Sequence, residues 1–310
     1  MKILVLGGSG FLGSYVVDEL VAAGHNVLSM DRYPERFRAP RNGVAFFQAD
    51  FGNRGELEDV LKKGVHVVVH LISSTIPQSS NEDPIFDVQS NLVESIALIE
   101  MCVKQGVRKI VFVSSGGTVY GVPNTEVISE YHPVSPLCSY GIVKLAIEHY
   151  LKCFYDLHGL KFHVLRLSNP YGPRQDPTRK QGAPSVFMHN ILTGKEISVW
   201  GDGEVIRDFL FVADFSKACL LAVESEGVGV LNIGSGVGLS INELISVTEE
   251  VVGVTAKINR LPSRGFDVPR VVLNCANAEK QLGWKPTTSM EEGVLSMFEW
   301  MSDLIRVGKL

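Results

Sequence analysis

Apolar positions follow two rhythms through the first half of this chain. Short runs that are apolar at nearly every position, at 3–6, 26–30, 44–48, 65–70, 109–113 and 162–167, alternate with stretches of helical periodicity near 11–23, 54–62, 85–105 and 138–158. Successive strand side chains point to opposite faces, so unbroken apolar runs suit strands covered on both sides. Strand-helix-strand repetition of this kind predicts an α/β fold, a doubly wound parallel sheet with right-handed crossovers. After about residue 168 the rhythm breaks. Asn169-Pro170-Tyr171-Gly172-Pro173 opens a Pro/Gly-rich loop, and helices and short strands follow at irregular spacing. This predicts two lobes, 1–168 and a smaller α+β lobe over 169–310. Within 205–233, the run 209–212 and the stretch around Leu231-Asn232-Ile233 are candidates to return to the first lobe.

Composition changes this picture little. A chain of 310 residues, 45% hydrophobic and 20% charged, can bury a core without disulfides or metals. A net charge of −5 with both signs scattered argues against a nucleic-acid or anionic-membrane surface. The five cysteines are far apart and form no Cys-x-x-Cys pair, as expected of reduced thiols. The opening apolar run is too short for a signal peptide, and no run reaches a membrane span of ~20 residues, so a cytoplasmic protein is expected. His66 and His70 have the spacing of a helical zinc pair but lie in a valine run that reads as strand, so no metal is expected. Gly234-Ser235-Gly236-Val237-Gly238 lacks a distal acid and reads as a structural loop. The apolar face of 96–103 suits either core or a dimer seam.

Chemistry enters at Gly7-Gly8-Ser9-Gly10-Phe11-Leu12-Gly13, which joins the first strand to the first helix. Glycines at 7, 10 and 13 allow a tight turn, close approach to a pyrophosphate and close helix-strand packing. The helix N-terminus then offers N–H groups to phosphate. The next strand ends at Asp31, near the spacing of about 20 residues expected for the acid that binds an adenosine ribose. A carboxylate there repels a 2′-phosphate and favours NAD over NADP, although Arg32 is its neighbour.

A second element is Tyr140-Gly141-Ile142-Val143-Lys144, whose tyrosine and lysine share a helix face. With an ordinary pKa of about 10, tyrosine is a poor base at neutral pH. A nearby ammonium and a positive nicotinamide ring are both expected to favour phenolate.

The order of Gly7-x-x-Gly10-x-x-Gly13, Ser114-Ser115-Gly116-Gly117-Thr118-Val119-Tyr120-Gly121, Tyr140-x-x-x-Lys144 and Arg166-Leu167-Ser168-Asn169-Pro170 resembles the extended short-chain dehydrogenase/reductases, and most of all their bacterial UDP-glucose 4-epimerase branch. The resemblance extends over almost the whole chain, through Trp200-Gly201-Asp202-Gly203, Arg207-Asp208-Phe209 and Arg264-Gly265-Phe266-Asp267. It implies a Rossmann-type fold, bound NAD, a nucleotide-sugar substrate (UDP-sugars above all) and a homodimer.

By position, the resemblance makes Tyr140 the acid/base and has Lys144 hold the nicotinamide ribose. Asp50 and Phe51 fall beside the adenine, and Leu71, Ile72 and Ser73 line the dinucleotide. Phe11, Leu12, Asn91 and Ser114 complete the coenzyme set. Asn169 and Arg207 fall at the sugar diphosphate, Arg264 and Asp267 near the nucleoside, and Trp200 beside the base. Val271 falls where strict glucose/galactose epimerases place a large tyrosine, which opens N-acetylhexosamine substrates.

One departure stands out. Many relatives place a hydroxyl residue where this chain has Gly116, so Ser115, Thr118 or a backbone amide must take that role; Ser115 is the expected substitute. Gly117 and Thr118 replace the Asp-Glu pair of 4,6-dehydratases, which argues against dehydration. The expected activity is 4-epimerisation of a UDP-hexose or UDP-N-acetylhexosamine through a transient 4-keto sugar. A 4-keto reductase or dehydrogenase on the same scaffold, and a non-catalytic NAD-binding regulator, are the rivals.

Overall fold

A computed structural model describes residues 1–39, 41–179, 182–263 and 268–310. The apolar run of β1 (Lys2–Leu6) is explained by its two faces. Ile3 and Val5 enter one hydrophobic cluster and Leu4 and Leu6 another, on opposite sides of the sheet.

From β1 the chain runs through α1 (Phe11–Ala22), β2 (Asn26–Asp31), β3 (Ala45–Gln48), α2 (Arg54–Leu61), β4 (Val67–His70), α3 (Pro84–Asp87), α4 (Glu94–Lys104), β5 (Lys109–Ser115), α5 (Ser139–His158) and β6 (Lys161–Leu167). It departs through β7 (Asn169–Tyr171), α6 (Ala183–Leu192), β8 (Glu196–Trp200), β9 (Ile206–Phe211) and α7 (Val212–Glu224), then returns as β10 (Gly229–Ile233). The remainder is β11 (Gly238–Ser240), α8 (Ile241–Val252), β12 (Lys257–Leu261), β13 (Arg270–Val271), α9 (Ala276–Leu282) and α10 (Met290–Arg306).

Seven parallel strands form one sheet in the order β10-β6-β5-β4-β1-β2-β3. The winding reverses between β1 and β4, which sets the ligand crevice of a Rossmann-type fold at their C-terminal ends. Val16 and Leu20 of α1 join Phe215 and Ala222 of α7 on one face; Leu57 of α2, Leu98 of α4 and Ile147 of α5 cover the other.

Two details differ from the sequence expectations, and a third decides between the two alternatives for 96–103. The helix expected at 85–105 is broken into α3, a π-helical turn Val88–Val93 and α4. Ala97, Leu98, Ile99 and Cys102 of α4 are buried in the chain's own core, so that apolar face is not a free seam. The run at 209–212 does not join the first sheet: β9 pairs with β7, β11 and β13, although its Leu210 reaches the first lobe's core. The segment that returns is β10, paired with β6.

The second lobe packs α6, α8 and α10 around Phe187, Met188, Ile197, Leu244 and Met297. Its α8 and α10 start at capping boxes, Ser240 with Glu243 and Ser289 with Glu292. Among the described residues no helix is long and apolar enough to cross a membrane.

Candidate active site

A cleft of about 1340 Å³ opens between the lobes at the ends of β1 and β4. A pocket for one small ligand holds roughly 300–1,000 Å³, so this cleft has room for more than one.

Its first wall is the glycine turn. Gly7, Gly10, Phe11, Leu12 and Gly13 all line it, and α1 starts at Gly10 with no side-chain cap, leaving first-turn N–H groups for a ligand. A Cβ on Gly13 would lie 2.0 Å from the Gly7 carbonyl oxygen and 2.6 Å from the Gly8 Cα, backbone atoms that cannot yield. Asp31 closes this wall: its Oδ2 accepts from the Ser9 N–H at 3.1 Å and its Oδ1 from the Arg32 N–H at 2.7 Å. Burial raises the Asp31 pKa, against the pull of those backbone hydrogen bonds. Arg32 turns its Nε to Asp50 Oδ2 at 2.9 Å. Phe51, Leu71, Ile72 and Ser73 line the cleft, whereas Asp50 stands half-exposed beside it.

Tyr140 and Lys144 face the cleft from one side of α5. Lys144 Nζ donates to the Val113 carbonyl at 3.0 Å and lies 5.5 Å from the Tyr140 ring centroid. Burial lowers the Lys144 pKa to about 8, opposed by Asp87 and Glu148. Burial pushes the Tyr140 phenol up to about 12; Cys138 and Asp87 push the same way, and a hydrogen bond with Ser73 opposes them. The protein's own groups therefore favour the protonated phenol, because desolvation leads and the neighbouring Cys138 and Asp87 add to it.

Gly116 has a packing reason. A Cβ there would lie 2.5 Å from Leu273 Cδ1 and 3.1 Å from the Arg166 carbonyl oxygen, so a hydroxyl side chain has no room. Ser115 and Thr118 both line the cleft. Thr118 Oγ1 is buried and has no hydrogen-bond partner among the described residues, whereas Ser115 is half-buried on the same wall. Ser114 Oγ donates to Glu148 Oε1 at 2.5 Å. Glu148 is held in turn by Arg166, whose Nη2 lies 2.7 Å from Oε2, and Arg166 Nη1 donates to the Tyr120 hydroxyl at 3.0 Å.

The second lobe supplies the facing wall with Asn169, Trp200 and Arg207. Asn169 Nδ2 donates to the Asp208 carbonyl at 3.1 Å, and Arg207 Nη1 donates to the Val268 carbonyl at 2.7 Å. Trp200 is 42% exposed and so is no core residue. Arg264 and Asp267 lie outside the described residues. Val271 is buried with Val119, Tyr120, Ile128 and Leu273. Asp208 is fully buried and accepts from Ser235 N and Oγ, Gly236 N and Leu273 N. The glycine-rich segment 234–238 is the loop that wraps this carboxylate.

The family model for the NAD dependent epimerase/dehydratase family matches residues 3–234. The chain belongs to this family. A putative UDP-glucose 4-epimerase from Methanocaldococcus jannaschii is 36% identical over 302 residues, covering 97% of this chain and 98% of the relative. The UDP-glucose 4-epimerase of Thermotoga maritima, solved with UDP-glucose, superposes with a TM-score of 0.94 at 34% identity over 98% of this chain and 100% of that one. The Thermus thermophilus UDP-glucose 4-epimerase, solved with NAD, gives a TM-score of 0.91 at 33% identity over 97% and 99% of the two chains.

The residues present fit the coenzyme of an NAD-dependent epimerase of the extended short-chain dehydrogenase/reductase type. The Gly13 cradle admits no Cβ, and Asp31 stands where a ribose diol can donate to it. Asn91 is buried and accepts from the Ser74 N–H at 2.8 Å, which supports the Ser73–Ser74 turn. Sequence reasoning missed Asp87, a fully buried acid in a stretch that reads only as helix, and Gln175, whose Oε1 is buried without a partner on the cleft wall. Gln175 had a signal, since it follows the Pro/Gly loop already singled out. Asp87 had none.

Proposed function

We propose that this chain epimerises UDP-sugars at C4, with a UDP-hexose or UDP-N-acetylhexosamine as substrate and Tyr140 as acid/base. The observation that carries the reading is the placement of Tyr140 and Lys144 in one cleft, between the glycine cradle and the second-lobe wall of Asn169, Trp200 and Arg207. The chemistry that NAD supplies when bound is reversible hydride transfer at the sugar carbon. As phenolate, the Tyr140 oxygen takes the proton of the sugar 4-hydroxyl, and as phenol it gives that proton back; the Lys144 ammonium and, with NAD bound, the positive nicotinamide ring would favour the phenolate. Lys144, with a pKa of about 8, is largely ammonium at neutral pH and keeps a positive charge beside that ring. Thr118 offers its unpartnered hydroxyl to the reacting oxygen. Arg207 meets the diphosphate, so binding energy far from the reacting carbon positions a small mobile ring. The Thermotoga maritima and Thermus thermophilus enzymes support this choice of substrate and coenzyme.

The test is incubation of protein purified without added coenzyme with UDP-glucose, UDP-galactose and their N-acetyl forms, with chromatography of the products and absorbance followed at ~340 nm. Conversion to the C4 epimer with no net absorbance change is expected. Tyr140→Phe is expected to lose roughly 10²–10⁴-fold in kcat. Sustained absorbance growth would move the assignment to a dehydrogenase, and a fully active Tyr140→Phe would remove Tyr140 from its role.

A further inference from the structure

We infer that Asp87 is a positioning residue for the Tyr140–Lys144 pair, a buried negative charge whose place behind them sets the pH window in which the pair works. The inference rests on Tyr140 as acid/base and Lys144 as its partner.

Asp87 ends α3 and is fully buried. Its Oδ1 accepts from Thr75 Oγ1 at 2.6 Å and from Asn91 Nδ2 at 2.9 Å; its Oδ2 accepts from Ser139 Oγ at 2.6 Å. The π-helical turn Val88–Val93 carries Asn91, which also accepts from the Ser74 N–H. Wide turns of this kind concentrate at functional sites. Asp87 thus joins the loop after β4, the π turn and the first residue of α5, immediately before Tyr140. The same end of α5 has no cap of its own: Asn81 accepts from the Ser139 N–H at 2.9 Å and Ser80 from the Tyr140 N–H at 3.1 Å.

These donors are neutral. They satisfy the carboxylate, as a buried charge requires, but leave its charge in place. No Lys or Arg among the described residues makes an ion pair with it. Other groups around the pair are accounted for differently. Glu148, farther along α5, is ion-paired with Arg166 of β6 and adds to the support of ammonium at Lys144. His70 of β4 is kept neutral, its pKa lowered to about 3 by burial. Cys138, just before α5, is a thiol that burial pushes up, and Ser73 is a neutral hydrogen-bond partner. The field of Asp87 therefore reaches Tyr140 and Lys144 unbalanced. It opposes phenolate and supports ammonium.

Asp87→Asn isolates the charge. The amide oxygen can still accept from Thr75 and Asn91, and the Ser139 hydroxyl can reverse to accept from the amide nitrogen. Two readouts on the holoenzyme are needed: the pH profile of kcat/KM for C4 epimerisation, and the midpoint of Lys144 from NMR of ¹³Cε-labelled lysine, assigned by its loss in Lys144→Arg. Both limbs of the profile and the Lys144 midpoint are expected to move to lower pH by roughly one unit. A profile that falls in height with its limbs in place, and an unmoved midpoint, would overturn the inference and leave Asp87 a structural hub. Should Asp87→Asn not fold, Ser139→Ala removes one donor and keeps the charge. It is then expected to raise the Lys144 midpoint, and no movement would overturn the proposal. The NMR midpoint does not depend on turnover, so it reports on Asp87 even if Tyr140→Phe shows that the acid/base lies elsewhere.

Discussion

A buried hydroxyl without a partner costs on the order of 1–3 kcal/mol, and on the proposed function Thr118 Oγ1 finds its partner in the reacting oxygen of the substrate. Thr118→Val keeps the shape and removes the hydroxyl. It is expected to lower kcat roughly 10²-fold with little change in KM, while Ser115→Ala stays close to the parent. Steady-state kinetics on the preferred UDP-sugar decides the order, and the opposite ranking would return the role to Ser115. The sequence showed that position 116 lacks a hydroxyl but not why. The reason is Leu273, which comes from far down the chain and fills the space a side chain would need. A substitution explained by a distant neighbour is invisible to a reading of local motifs.

At the scale of elements, legibility follows sequence distance. The β1-turn-α1-β2 unit could be read to within a residue or two because its glycines and Asp31 act locally. Its prediction is equally local. Gly13→Ala forces a Cβ into the Gly7 carbonyl, so α1 must move off β1. Loss of tightly bound NAD is expected, with destabilisation of about 1–3 kcal/mol. Coenzyme content of the purified protein and a thermal melt check both; a Gly13→Ala variant that retains its NAD would show that the turn tolerates displacement. The break of the helix at 88–93 was not legible, because its apolar period continues through the π turn and what fixes the turn is hydrogen bonding to Thr75 and Ser74. The sheet to which β9 belongs was not legible either, since an apolar run looks the same in either lobe.

At the scale of the molecule the lobes meet along contacts that no motif announced. Arg36 pairs with Asp176 at 2.5 Å, Arg174 with Asp18 at 2.8 Å, and the Phe37 and Trp300 rings meet edge-on at 5.3 Å. The core also carries a pH liability. Burial lowers the pKa of His70 to about 3 and, with Lys109 adding, that of His163 to about 4. The unfolded chain protonates these imidazoles near pH 6.5 and the folded chain does not, so stability falls as pH drops from about 6.5 toward 4. At pH 5 the loss is roughly 2 kcal/mol per imidazole. Melting temperature is expected to drop between pH 7 and 5, and His163→Leu is expected to flatten that drop. A slope unchanged by the substitution would mean that other groups control it.

The return of β10 to the edge of the first sheet has a consequence for how the protein is made. During synthesis β6 emerges with one row of N–H and C=O groups open, and the strand that seals it is translated only after β7 through α7. The coenzyme lobe cannot finish closing until residue 233 has left the ribosome. For the same reason, the second lobe is not a cassette: exchanging it between relatives requires separate inserts on each side of β10.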